Sequence, residues 1–513
     1  MSLDYRNIGV LFSLNTLNIF LNVVVSTLTV YIFGTSPKVE AFFAASLLGT
    51  AVSRFVNTGQ LIEIVVSRYH RTKQEAGKNA AMSIIATLCN YMTGIALLLT
   101  LGFIAGGTGI INLLVPGFKE ETKWGIWQIY CITGFLMPVQ IATNLFQGLL
   151  NAENIYGKVE FTNTVSLLTN VLILAVWGNS ENVTSLIVGL VISVLAQFFT
   201  VIYYLRQIGY RHSWLLRNPY FPLRDLAKTL SATSTYMVSV QLYIFLFNAA
   251  LSLLPPGSFA IYRYAEIIYG KVASVFMIPV STVFFNEINR LLNQNNGQSI
   301  KAFVSKNLNF SFFIGFMILL PFWAGGKYLL WTLWGGAKFN AQDVTAVYEL
   351  LCIFFLSMIW SGPYMIYRKL AVSVVRPELL YYYWSALHVF SALIGYATIR
   401  MLGFNGVMVQ VFLHSFLMCL VPILTVWYRK RVYFGFYELK EIIKITLALL
   451  AGAGAVWGFN NYWGEVFDYD KIKSFFVGFL SISIAGIVFI ASTLLLKVHD
   501  INLISNKILN RMK

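Results

Sequence analysis

Between Leu254 and Leu291 the chain reads LPPGSFAIYRYAEIIYGKVASVFMIPVSTVFFNEINRL, an apolar stretch that carries Arg263, Glu266 and Lys271. A charged side chain at mid-bilayer depth costs about 2.5–3.5 kcal/mol, so such residues face a bundle interior or a wet cavity and find partners there. A second apolar run, Ala41–Val66, carries Ser46, Thr50, Ser53, Asn57 and Gln60 at spacings of four and three, with Arg54 beside this stripe and Glu63 near its end. Spacings of four and three keep side chains on one helix face. The first run adds Asn15, Asn18 and Asn22, and a later one adds Gln241 and Asn248. The cations outnumber the carboxylates among these groups. Arginine grips phosphate with two parallel hydrogen bonds and lysine binds it as a point charge, while amides and aromatic rings suit sugars. The candidate substrate-binding set is therefore Arg54, Arg263, Glu266, Lys271, Asn18 and Asn57. Two blander readings stand beside it: each amide bridges neighbouring helices, and Arg54 or Arg263 neutralises Glu266 in an internal ion pair.

The elements that position these residues follow from composition. In 513 residues, 58% are hydrophobic, 11% are charged and the mean hydropathy is +0.69. That leaves too little polar surface for a soluble globule, and apolar runs of about 20 residues recur throughout, each long enough to cross the hydrocarbon layer as a helix. The expected class is an all-α polytopic membrane protein with about 14 transmembrane helices. The first run, Ile8–Phe33, has no small-residue cleavage site and leads straight into another span, so it reads as a retained helix. The formal charge of +16 comes from topology signals such as Arg206–Lys228 and Arg429–Arg431. Lysine and arginine concentrate in the loops that face the cytoplasm when both termini do, which requires no nucleic acid. Covalent catalysis has no support: the sequence has no phosphate-binding Gly-x-x-x-x-Gly-Lys-Ser/Thr loop, no nucleophile–base set and no His/Cys metal spacing, and Cys89, Cys131, Cys352 and Cys419 sit singly in apolar runs. The expectation is a transporter rather than an enzyme, without cofactor or metal.

An internal echo divides the chain. FGTSPKVEAFFAA after the first run matches LLPPGSFAIYRYAEII after the seventh, LLVPGFKEET matches LWGGAKFNAQD, and LLNAENIYGKVEF matches MIYRKLAVSVVRPELL. Three paired landmarks in one order imply two six-helix lobes around a central cavity: residues 1–227, residues 228–435, and a terminal helix pair over 436–513.

These same landmarks resemble the MurJ (MviN) lipid II flippase family. The resemblance is carried by Glu40-Ala41-Phe42-Phe43 after its Phe-Gly, LLVPGF at Leu113–Phe118, LLNAENIYGKVEFTNTVSLLTNV, LPPGSFAIYRYAEIIYG, and GAKFNAQD at Gly336–Asp343, over about 430 residues. It implies the fourteen-helix fold of the multidrug/oligosaccharidyl-lipid/polysaccharide exporter superfamily, a cavity lined by the first, second, seventh and eighth helices, and a groove for the polyprenyl tail at the terminal pair. It also implies a multi-pass protein of the bacterial cytoplasmic membrane that flips a polyprenyl-pyrophosphate-linked glycan by alternating access, as in peptidoglycan or polysaccharide biosynthesis. Where the family's first helix carries arginines, this chain has Asn18, Asn22 and Ser26, and Tyr264-Ala265-Glu266 is followed by Ile267. The implied partners are the lipid-linked glycan, membrane lipids and a coupling cation left open. The alternatives are a cation-coupled multidrug antiporter of the same superfamily and a non-transporting membrane scaffold.

Overall fold

A computed structural model describes residues 5–56, 69–153, 155–179, 183–220, 223–293, 297–374, 377–463 and 470–498. Helices occupy nearly all of it: α1 Tyr5–Phe33, α2 Pro37–Val56, α3 over residues 69–76, α4 Lys78–Leu114, α5 Glu120–Thr133, α6 Leu136–Ala152, α7 Tyr156–Trp177 and α8 Thr184–Gln207. They continue as α9 Leu223–Leu251, α10 Ser258–Asn293, α11 Gly297–Trp334, α12 Ala341–Val374, α13 Pro377–Leu402, α14 Phe404–Arg429, α15 Leu439–Trp463 and α16 Lys471–Leu495. No strand occurs among the described residues, as expected where hydrocarbon leaves backbone groups no partner outside their own segment.

Ten of these helices are long and apolar enough to span a membrane, and α5 with α6 forms an eleventh candidate bent by 46°. The apolar run over Trp124–Leu150 is therefore not one straight helix. Pro138 lacks the N–H that would bond to Gly134, so the helix breaks there. The other three of the expected fourteen correspond to α2, α9 and α10, and the described part of α9 includes the apolar Thr235–Leu251. Polar residues interrupt all three: α2 carries Lys38, Glu40 and Arg54, α10 carries Arg263, Glu266 and Lys271, and α9 opens with charged turns before the apolar Thr235–Leu251. These are the helices assigned above to a polar path.

The chain divides into two units, Met1–Ala260 and Ile261–Lys513. In the first, α1 packs on α7, α7 on α8, α2 on α5, and α4 and α8 on α6. Met82, Ile85 and Leu88 of α4, Phe146 and Leu149 of α6, and Val201 and Leu205 of α8 fill its core. In the second, α11 is the hub for α12, α15 and α16, and α14 joins α12 to α13. Small residues allow one close crossing: a Cβ on Gly325 of α11 would lie 2.3 Å from the Gly478 carbonyl oxygen of α16, the close backbone approach typical of membrane helices. Phe313 of α11 and Phe489 of α16 stack at 5.5 Å along the same seam. Pro321, Pro363 and Pro422 lie inside α11, α12 and α14.

Candidate functional site

Three of the sequence landmarks meet at one end of the first unit. Pro37 opens α2, which places Glu40 in its first turn. The Glu40 side chain is buried, and its Oε1 accepts the backbone N–H of Gly257 at 3.0 Å, Phe259 at 3.1 Å and Ala260 at 3.3 Å. The carboxylate thus takes donors that a helix start leaves unsatisfied, and negative charge there complements the helix dipole. Gly257 holds φ at +92°, with Thr35 3.2 Å from where a Cβ would be, a position that suits only glycine. Gly117 of the VPGF landmark donates its N–H to Ser252 Oγ at 3.1 Å, and a Cβ there would lie 2.2 Å from the Ser252 carbonyl oxygen. Phe118 meets Phe259 edge to face at 5.4 Å. A cavity of about 630 Å³ opens here, lined by Lys38, Glu40, Lys119, Glu121 and the Pro255–Pro256 turn among others.

The fourth landmark has a different role. In GAKFNAQD, Asn340 Oδ1 accepts from the N–H of Gln342 and Asp343 at 2.8 and 3.0 Å, and Asp343 Oδ2 accepts the Asn340 N–H at 3.0 Å. This reciprocal capping box starts α12.

The candidate residues divide by unit. Asn18 on α1 is buried, with both ends of its amide taken by α7: Nδ2 donates to the Glu160 carbonyl and Oε2, each at 3.2 Å, and Oδ1 accepts from Thr164 Oγ1 at 2.7 Å. That is the interhelical arrangement. It continues through Asn163, which donates to Glu160 Oε2 at 3.2 Å and accepts from Gln197 at 2.7 Å and from Gln147 at 3.1 Å. Sequence reading had placed Glu160 inside a landmark without marking its carboxylate; the signal was an acidic residue at the head of an apolar run. Arg54 lies in the last turn of α2, and Asn57, Gln60 and Glu63 lie outside the described residues. Along the α2 stripe, Ser46 Oγ and Thr50 Oγ1 donate to carbonyls one turn earlier in their own helix, at 2.9 Å each.

In the second unit α10 brings Arg263, Glu266 and Lys271 onto one helix. Arg263 is buried, donates to Glu266 and lies over the Tyr262 ring at 5.4 Å. Spacing of three puts this pair on one helix face. Lys271 makes no ion pair among the described residues and is half-buried. Nearby, Tyr269 stacks on Phe354 at 4.7 Å, and the Tyr264 ring packs against Trp334 and Phe339. An apolar groove of about 310 Å³ lies between α11, α12 and α15, lined by Leu319, Leu320, Trp323, Leu356 and Leu450 among others.

The family model for lipid II flippase MurJ matches residues 29–371. Among solved structures, the lipid II flippase MurJ in an inward closed conformation superposes with a TM-score of 0.72 at 16% identity, over 94% of this chain and 99% of its own. An inward-facing MATE family multidrug resistance transporter of the MOP superfamily superposes at 0.63 with 13% identity, over 82% and 97%. A MOP superfamily transporter from Pyrococcus furiosus follows at 0.54 with 13% identity, over 82% and 93%. No curated protein matches the chain. Identities this low establish a shared fold, and the family match, which spans most of the chain and every stretch that carries the resemblance, establishes the kinship: the chain belongs to the MurJ lipid II flippase family.

Proposed function

We propose that this protein is a flippase that carries a polyprenyl-pyrophosphate-linked glycan across the bacterial cytoplasmic membrane by alternating access, with both termini in the cytoplasm. The observation that carries the reading is α10, where Arg263, Glu266 and Lys271 stand in a helix otherwise built for the bilayer. A buried arginine over an aromatic ring is held for bidentate contact, and a half-buried lysine with no ion pair among the described residues supplies a point charge. Both suit a pyrophosphate. The apolar groove between α11, α12 and α15 matches the chemistry of the polyprenyl tail, which stays in lipid while the head group crosses. Arg54 and Asn57 remain part of the proposed substrate set; Asn18 acts through the α1–α7 seam.

The test is reconstitution of the full chain into vesicles with a fluorescent polyprenyl-pyrophosphate glycan in the inner leaflet, scored by accessibility to an impermeant quencher. Translocation above that of protein-free vesicles is expected for peptidoglycan-type or related saccharide head groups. Cation-driven efflux of a lipophilic cationic dye, without glycan translocation, would instead place the chain with multidrug antiporters.

A further inference from the structure

A second cavity, about 690 Å³, lies in the first unit away from both features above. Its walls are apolar: Cys89 on α4, Ala142 and Phe146 on α6, and Phe198 and Ile202 on α8. Its mouth is cationic, with Arg206 from the last turn of α8 and Arg211 from the following loop. No acidic residue lines it, and neither arginine is paired with a carboxylate among the described residues.

The loop that closes this cavity is held as a strap. Gly209 turns the chain at φ +80°, and Lys78 donates to the Ile208 carbonyl at 2.8 Å. Asn90 on α4 donates to the carbonyls of Ser213 at 2.9 Å and Leu215 at 3.2 Å. Its amide oxygen therefore faces His212 Nε2 at 2.9 Å as an acceptor, so Nε2 carries the proton, and Nδ1 accepts from the Tyr210 hydroxyl at 2.9 Å. Burial holds the His212 imidazole below its ordinary pKa, in keeping with this neutral tautomer. Tyr91 donates to the Leu216 carbonyl at 2.5 Å, and Asn218 donates to Ser83 Oγ at 2.9 Å. So anchored, the strap turns Trp214, Leu215 and Leu216 outward, exposed by 85%, 54% and 57%, next to Arg217. A tryptophan and two leucines beside arginines on an ordered loop form a membrane-interface anchor.

We propose that this cavity is a binding site for an anionic phospholipid of the cytoplasmic leaflet, one acyl chain entering between α4, α6 and α8 while its phosphodiester rests on Arg206 and Arg211 and Trp214 lies at the head-group level. Charge complementarity fixes the class of lipid. The apolar interior calls for a chain, the uncompensated cations at the mouth call for an anion, and basic pockets between helices on this side recognise anionic head groups. The site is independent of the transport reading, because lipid retention is measured without flipping.

The full-length protein, purified in detergent and exposed to equimolar phosphatidylglycerol and phosphatidylcholine, is assayed for retained lipid by native mass spectrometry. Phosphatidylglycerol is expected to dominate. Each arginine near an anionic surface contributes about fivefold, so the double change Arg206→Gln with Arg211→Gln should lower retention by about thirtyfold. Inorganic phosphate at millimolar concentration should displace none. Equal retention of phosphatidylcholine, displacement by phosphate, or undiminished retention in the double variant would overturn the site. So would preferential capture of the polyprenyl-pyrophosphate lipid with the same arginine dependence. A second readout guards against misfolding: brominated phosphatidylglycerol should quench tryptophan fluorescence in the native chain and lose that component in Trp214→Phe, and identical quenching in both would also overturn it.

Discussion

At the scale of single residues the decisive pair is Arg263 and Glu266. If the ion pair serves only the fold, Arg263→Ala leaves the partly exposed Glu266 carboxylate without its partner, and adding Glu266→Gln should recover both folded yield and transport. The account here expects otherwise. Folded yield recovers in the double variant, while translocation stays below about a tenth of the native rate, a loss comparable to removing one charged hydrogen bond of about 1.5–3 kcal/mol. Paired measurements of monodisperse yield and translocation for the two single variants and the double separate the cases. Glu40 makes a different forecast. Replacing it by Ala strands three buried N–H donors on Gly257, Phe259 and Ala260, each worth about 1–3 kcal/mol when left unsatisfied. Glu40→Ala should therefore lower the thermal midpoint sharply, and Glu40→Gln, which keeps an acceptor oxygen, should lower it less; equal losses would show that the carbonyl-type acceptor plays no part. The sequence had offered Glu40 as a landmark letter only. Its partners lie more than 200 positions away, and no local spacing announces such a bond.

At the scale of elements, the helices were legible and their partners were not. Apolar runs of span length marked nearly every helix, but the break between α5 and α6 needed Pro138 to be read as a missing donor to Gly134 rather than as one residue in an apolar run. Asn18 shows the other side: an amide in a membrane helix has two readings by sequence, and only the placement of Glu160 and Thr164 on α7 decides that its hydrogen bonds go to a neighbouring helix. Packing at glycine carries a test. A methyl group on Gly325 would meet the α16 backbone at 2.3 Å, so Gly325→Ala should separate α11 from α16 and reduce heat stability, by about 1–3 kcal/mol if the helices shift to accommodate it; an unchanged melting curve would mean that this crossing is loose. The junction between α6 and α7 carries a pH test. Burial pushes the Glu153 carboxyl up, but hydrogen bonds from Lys73 and Tyr69, with the Lys73 and Lys78 charges, outweigh it and bring the pKa below the ordinary carboxylate value of 4.5. A depressed folded pKa gives stability that is fully present above pH 4.5 and is lost as the pH falls through the folded value. Melting of the native protein should show this acid loss, and Glu153→Gln should flatten it; parallel curves would contradict the assignment.

At the scale of the whole molecule, composition already fixed a polytopic helical membrane protein, and the ordered landmarks already pointed to the family. What sequence could not supply was the pairing along α10: Arg263 and Glu266 stand three apart in the sequence, and only the structure shows Arg263 buried, bonded to Glu266 and lying over the Tyr262 ring. The apolar groove between α11, α12 and α15 was invisible for another reason, since leucines facing a groove and leucines facing lipid look alike in a sequence. Filling that groove with Ala453→Phe should slow translocation of a long-chain polyprenyl substrate while leaving a short-chain analogue and the melting temperature unchanged; equal slowing of both would remove the groove from the path. The most direct measurement of the central claim is the initial translocation rate, in vesicles containing the full chain, of one glycan presented on polyprenyl pyrophosphate and on polyprenyl monophosphate, for the native protein and for Lys271→Ala. The account predicts faster movement of the pyrophosphate form by the native chain and loss of that preference in the variant. No translocation of either lipid, or a pyrophosphate preference untouched by the loss of Lys271, would contradict it.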